Sequence, residues 1–272
     1  MPHAAQPLNL TIQTTSGELD AHLAVPTGFI PITDIVPVLR SLGEQAQRLE
    51  VAKTVQSGKA ISCKKGCSAC CEGNLIPVSP PEAFVLAEMM DRLPPDHRER
   101  IERRLTDVRQ RLNEAGLLGS LQELADGSRQ RSDEDIDPIN RAYYRLRLSC
   151  IFLENDVCSV YDHRPAACRE HLVTSPAELC RDTEKNPVQD LHVPIRAGTV
   201  LALLWADLNG GPVRLIPLPV AVQWARQHRS LLNQTWEGLK LFDRALDGLG
   251  KFLNQSLALV AGKGKTNPKG NK

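Results

Sequence analysis

Nothing in this chain favours a membrane or a nucleic acid. Its longest apolar run, Val200 to Ala206, is far shorter than the ~20 residues an α-helix needs to cross a bilayer. The opening residues, Met1 to Leu8, carry neither the basic patch nor the apolar stretch of a secretory leader, so a cytoplasmic protein is expected. A net charge of +1 supplies no electrostatic pull towards nucleic acid or an anionic lipid surface. Arginine is dense from Arg92 to Arg147, but acids are interleaved almost one for one, the pattern of a solvated face. Aromatic residues are scarce, at 4%. There is no phosphate-binding loop, dinucleotide fingerprint, Ser–His–Asp signature or paired-histidine zinc motif, which removes the commonest nucleotide, hydride-transfer and hydrolase classes.

Cysteine is absent from both ends and concentrated between Cys63 and Cys180. Four of the eight form a block, Cys63, Cys67, Cys70 and Cys71; the others are Cys150, Cys158, Cys168 and Cys180. A reducing compartment keeps thiols free, and a chain of 272 residues can bury a core without disulfide staples. Metal ligation is therefore the preferred reading. No one cysteine stands out as a nucleophile for cysteine–histidine catalysis.

Around this stretch the chain reads as mainly α with a small β component, an α+β fold in one compact, metal-centred domain over residues 1–260. Leu8, Leu10 and Ile12, then Leu19, Ala21, Leu23 and Val25, alternate with polar residues on either side of Ser16-Gly17, which predicts a β-hairpin over 8–25. Thr33 or Asp34 is expected to cap a helix with Pro37 in its first turn, a buried stripe of Ile35, Leu39, Leu42, Ala46 and Leu49, and Gly58 at its end. Ser79-Pro80-Pro81-Glu82 is a capping box opening a helix that Pro94-Pro95 breaks. Ile101, Leu105, Val108 and Leu112 mark the next helix. The acidic run Asp133 to Asp137 is expected as a loop before a helix holding Tyr143, Tyr144 and Leu148. Short strands around 151–153 and 157–161 should turn at Asn155-Asp156. The cysteine-cluster core is placed at 61–182. A C-terminal helical region, 217–260, should hold Val222, Trp236, Leu239 and Phe242 inside and be interrupted at Gly238, Gly248 and Gly250. Residues 262–272 should form a disordered tail.

Within the cysteine set, Cys67-x2-Cys70 is the common chelating pair, and Gly66 lets the backbone turn towards sulfur. The adjacent Cys70 and Cys71 should point apart, which favours a polynuclear centre or two neighbouring metals. Seven, nine and eleven residues separate the later cysteines, so these must return from separate turns to meet the block. Four thiolates around zinc, or around an oxidised 4Fe–4S cluster, leave a charge of about −2 that needs compensation. Lys64, Lys65, Arg164, Arg169 and Arg181 stand nearby in sequence, and arginine is the better donor to sulfur. His163 and His171 flank Cys168 and either could replace a thiolate, although a histidine in a polar loop is ordinarily a surface residue.

The order of these elements resembles the YkgJ-type cysteine-cluster family, described as zinc- or iron-chelating. The matching residues are Cys63, Cys67, Cys70 and Cys71; Cys150, Phe152 and Leu153; and Cys158, Val160, Tyr161, Arg164, Pro165, Cys168 and Arg169. The resemblance covers about 61–170, with Cys180 as an extension, and implies metal binding without fixing a reaction. Flagellin lysine N-methylases carry a similar cluster. The spacing of Cys63, Cys67 and Cys70 is also that of radical S-adenosylmethionine enzymes, but those require the block just after a first strand and repeated strand–helix units behind it, whereas here a helix precedes the block and no βα alternation follows.

The expectation is a metal-binding or redox accessory module holding zinc or an iron–sulfur cluster through Cys63, Cys67, Cys70, Cys71, Cys150, Cys158, Cys168 and Cys180. Tyr161, Arg164, Pro165 and Arg169 would support these ligands. The alternative is an iron–sulfur enzyme such as a protein lysine N-methylase-like transferase. The partners expected are a metal ion or cluster and a protein, without nucleic acid or membrane.

Overall fold

Alternation at the N-terminus produces a long antiparallel hairpin, β1 (Ala5–Thr14) and β2 (Gly17–Pro26). Its register sets Leu8 opposite Leu23, Leu10 opposite Ala21 and Ile12 opposite Leu19, so one face is apolar. That face packs on helix α1 (Val36–Gln56), to which it is also tied by the Gln45 side chain, bonded to both the N–H and the C=O of His22. The structure, a computed structural model, describes residues 4–127 and 129–263.

Strand β3 (Phe29–Pro31) leads into α1 through a 3₁₀ turn at Ile32–Ile35. The N-cap positions fall on Pro31 for this turn and Ile35 for α1, and not on Thr33 or Asp34 as expected. Thr33 is instead buried inside the turn. Ile35, Leu39, Leu42 and Ala46 are buried and Leu49 is half-buried, and Gly58 follows the helix with φ +82°.

After the cysteine block come β4 (Pro77–Val78) and α2 (Pro80–Arg92). The Ser79 N–H donates to Glu82 Oε2 at 3.4 Å, closing the capping box, and the Ser79 hydroxyl donates to the same oxygen at 2.8 Å. Helices α3 (Pro95–Glu114) and α4 (Leu118–Asp126) follow; the second was not anticipated from the sequence. Helix α5 (Asp133–Arg145) includes the acidic run expected as a loop. Ser132 caps it and Asp133, Glu134 and Asp135 occupy its first turn, where carboxylates are favoured by the helix dipole. Leu148 is buried but lies beyond its end.

The strands at Asn155-Asp156 are short, β5 (Leu153–Glu154) and β6 (Val157–Cys158), with both turn residues at positive φ. Beyond them lie α6 (Ala166–Glu170), α7 (Ala197–Asn209), β7 (Ile216–Pro217, paired with β4) and α8 (Leu218–Gln227). Strand β8 (Thr235–Glu237) pairs with β3, and α9 runs over Gly238–Lys263. Helix α9 passes through Gly248 and Gly250 without the interruption expected there. Gly248 faces Leu203 of α7 at ordinary contact distance, and this packing offsets the low helix propensity of glycine. Val222 and Phe242 are buried, Trp236 and Leu239 half-buried. From 264 onward the expected tail lies outside the described residues.

One apolar core runs from β2 through α1, α2, α3, α7 and α8 to α9. Phe84 sits at its centre, 5.7 Å from Trp205 and 5.4 Å from Trp224, ring to ring. The fold is thus mainly α with a small β component. Among the described residues, no helix is long and apolar enough to cross a membrane.

Candidate metal centre

The thiols gather along one side of this core, each positioned by a different local device. Cys63 is in an extended segment after α1, where Ser62 N–H donates to Val173 O and the Val173 N–H reaches Cys63 Sγ at 3.4 Å. Gly66, at φ +91°, permits the turn closed by Cys67 N–H to Lys64 O. Cys70 and Cys71 lie in the 3₁₀ turn Ala69–Cys71. That turn is pinned twice: Asn74 Nδ2 donates to Cys70 O at 3.0 Å, and Cys150 N–H donates to Cys71 O at 2.8 Å. Cys158 ends β6 opposite Leu153. Cys168 lies in α6, whose first N–H, that of Ala166, donates to Glu82 Oε1 at 2.7 Å. Cys180 is in a 3₁₀ turn, Ala177–Arg181, packed against the Ala69–Cys71 turn.

Cys67, Cys70, Cys71, Cys150, Cys158 and Cys168 line a single cavity of about 420 Å³. Cys63 and Cys180 stand behind that wall, packed with Cys67 and Cys70 around Ala69 and Val173. All eight cysteines are free. The gathering is on the scale of a cavity wall: among the described residues, no three Cys, His, Asp or Glu side chains stand close enough to hold a metal ion as they are. The donor chemistry nevertheless fits zinc or iron, since eight unpaired thiols from five chain segments are brought to one place.

Of the supporting residues, Arg164 lines the cavity, stacks its guanidinium on the Tyr161 ring at 3.6 Å and donates through Nε to Tyr161 O at 3.0 Å. Tyr161 and Pro165 share the cavity wall, and Lys65 Nζ lies 5.1 Å from the Tyr161 ring centre. Arg169 turns away from the thiols. It donates to the carbonyls of Arg164 and Asp162 and pairs with Glu44 of α1 at 2.9 Å, so it anchors the loop. His163 is exposed, whereas His171 lines the cavity and meets Asp190 at 3.4 Å. Lys64 and Arg181 are exposed.

Electrostatics separates Cys70 from the rest. A hydrogen bond from Cys71, helped by the positive fields of His171 and Arg164, lowers the Cys70 thiol to about 6 against the opposing effect of burial. The same bond pushes Cys71 upward, so the two sulfurs interact and do not point apart as expected; a 3₁₀ turn stacks neighbouring side chains more closely than an extended chain does. Burial raises Cys63, Cys158 and Cys168, and carries Cys150 to about 12 and Cys180 to about 11. Without metal, most of the thiols therefore hold their protons, and ligation must displace them.

Sequence reading missed the far wall of the cavity. Glu170, Asp190, Leu191, Arg196, Gly198 and Thr199 line it. Glu170 accepts the Ala197 N–H at 2.6 Å, and burial, with Glu82 nearby, raises its carboxyl to about 7. A lone glutamate two residues past Cys168 gave no signal, because its role depends on α7 packing against α6.

Fold and site together describe a mainly helical protein with a thiol-lined cavity. Residues 62–188 match the CxxCxxCC family, described as "Putative zinc- or iron-chelating domain", a family that the YkgJ-type label fits. No curated protein and no solved structure matches the chain.

Proposed function

We propose that Cys63, Cys67, Cys70, Cys71, Cys150, Cys158, Cys168 and Cys180 bind zinc or iron, the iron as an ion or an iron–sulfur cluster, and that the protein is a metal-binding or redox accessory module of the cytoplasm. The observation that carries this reading is the convergence of six free thiols, from four separate segments, on one cavity. Zinc would supply a template or Lewis acid there, and an iron–sulfur cluster would supply electron transfer. The chain contributes the thiols, the positive charge of Arg164 above Tyr161, and an apolar surround from Phe152, Leu172 and Leu191 that limits water. Anaerobic purification followed by zinc, iron and sulfide analysis with a visible spectrum tests it. Stoichiometric metal is expected; a metal-free protein that takes up neither ion with its thiols reduced overturns it.

A second reading has its own observation. The cavity's far wall carries Arg196, Thr199 and Glu170, groups suited to hold a substrate beside the thiols. This favours an enzyme working at or near an iron–sulfur centre, such as a lysine N-methylase-like transferase, with a protein as substrate or partner. Arg196→Ala would then abolish turnover of a candidate substrate while leaving metal content intact.

A further inference from the structure

Resting on the metal-binding reading above, we infer that the eight thiols form two separate centres. One holds Cys63, Cys67, Cys70 and Cys180; the other holds Cys71, Cys150, Cys158 and Cys168.

Packing divides the thiols in this way. Cys180 is 2% exposed, and with Ala69 and Val173 it forms a small apolar cluster of its own, against which Cys63, Cys67, Cys70 and Val188 rest. Cys150 and Cys158 belong instead to the edge of the main core. The backbone draws the same line. Cys63 is held by the Val173 strand segment, and the turn carrying Cys180 packs on the turn carrying Cys70. Cys150 is hydrogen-bonded to Cys71 through the backbone, its carbonyl accepts from Leu153 N–H, and Leu153 pairs with Cys158 across the β5–β6 hairpin. All four members of the second set line the cavity, as do Cys67 and Cys70 of the first, whereas Cys63 and Cys180 stand behind its wall.

Four is the number of thiolates a structural zinc or a cubane cluster takes, and the split at Cys70 and Cys71 gives four to each side. The sulfurs of Cys70 and Cys71 are in hydrogen-bond contact, so the two centres would be immediate neighbours. Loading with a single zinc would have to bring the sulfurs of a set to within about 4 Å. Gly66 and Gly73, both at positive φ, stand on either side of Cys67–Cys71, where the backbone turns. For a zinc or ferrous ion, binding is a plain exchange of thiol protons for metal, with no change of oxidation state.

The test is metal stoichiometry on the full chain, purified anaerobically and weighed by native mass spectrometry alongside metal and sulfide analysis. Wild-type protein should carry two loadings. Cys180→Ser and Cys158→Ser should each retain about half of the metal, and the double variant should retain none. The apo wild-type chain, titrated with zinc alone and mapped by thiol alkylation, supplies the same answer without any variant. Protection should appear in the two sets of four named above, one set ahead of the other. Loss of all metal from a single variant with native circular dichroism, or protection spread evenly over the eight thiols, shows one polynuclear centre and overturns the division while metal binding stands. Wild-type protein that takes up no metal at all overturns both.

Discussion

At Glu82 a single buried carboxylate joins three parts of the molecule. It accepts from Arg40 of α1 at 3.0 Å, from Ser79 at the start of α2, and from the Ala166 N–H that begins the cysteine-bearing α6. Removing it leaves Arg40 and two donors unpaired in the interior, so Glu82→Ala should cost about 3–5 kcal/mol in urea unfolding. Metal retention should fall with it, since α6 positions Cys168. Arg164 operates at the same scale but on the centre itself. Arg164→Ala should lower metal affinity by about 10–100-fold in a competition titration, and Arg164→Lys should recover only part of it, because lysine lacks the planar group that lies on Tyr161. Full metal content in Arg164→Ala together with lost turnover would move the residue to substrate binding.

Among the secondary-structure elements, α9 shows why glycines with one label have different roles. A Cβ on Gly238 would fall 2.0 Å from the carbonyl oxygen of Pro26, at the end of β2, while one on Gly250 would meet nothing within 4 Å. Gly238→Ala should therefore destabilise by about 1–3 kcal/mol, and Gly250→Ala should stabilise by about 0.5–1 kcal/mol, both read from denaturant midpoints. Equal effects would mean that the hairpin does not hold α9 at Pro26. The clasp between α5 and the turn carrying Cys180 is of the same order. Arg147 sits at φ +48°, lies over the Tyr144 ring, donates to Arg181 O and pairs with Asp182 at 3.1 Å, so the segments before Cys150 and after Cys180 are drawn together.

Across the whole molecule, the apolar core and the thiol side depend on different forces. The hairpin Ala5–Pro26 is secured by apolar burial on α1 and α9. The cysteine-bearing segments of 62–188 come together at the thiol-lined cavity, so metal binding should contribute directly to their stability. Removing metal with a chelator should speed amide hydrogen exchange across 62–188 far more than across Ala5–Pro26. No change in 62–188 would contradict a stabilising role for the metal.

Much of this was legible in one dimension because its causes are local. The hairpin register follows from alternation, α2 from its capping box, and the β5–β6 turn from an Asn155-Asp156 pair that tolerates positive φ. The cysteine spacings identified the chelating stretch for the same reason, since a family pattern is a string of residues in order. Local signals misled where dipole or packing decided otherwise: the acidic run became the first turn of α5, and α9 continued through Gly248 and Gly250. The far wall of the cavity, the outward turn of Arg169 and the company each cysteine keeps are long-range facts. They depend on which helix face meets which, and side chains from Cys67 to Thr199 share one surface only after the apolar core has closed around Phe84 and set α1, α2, α6 and α7 against one another.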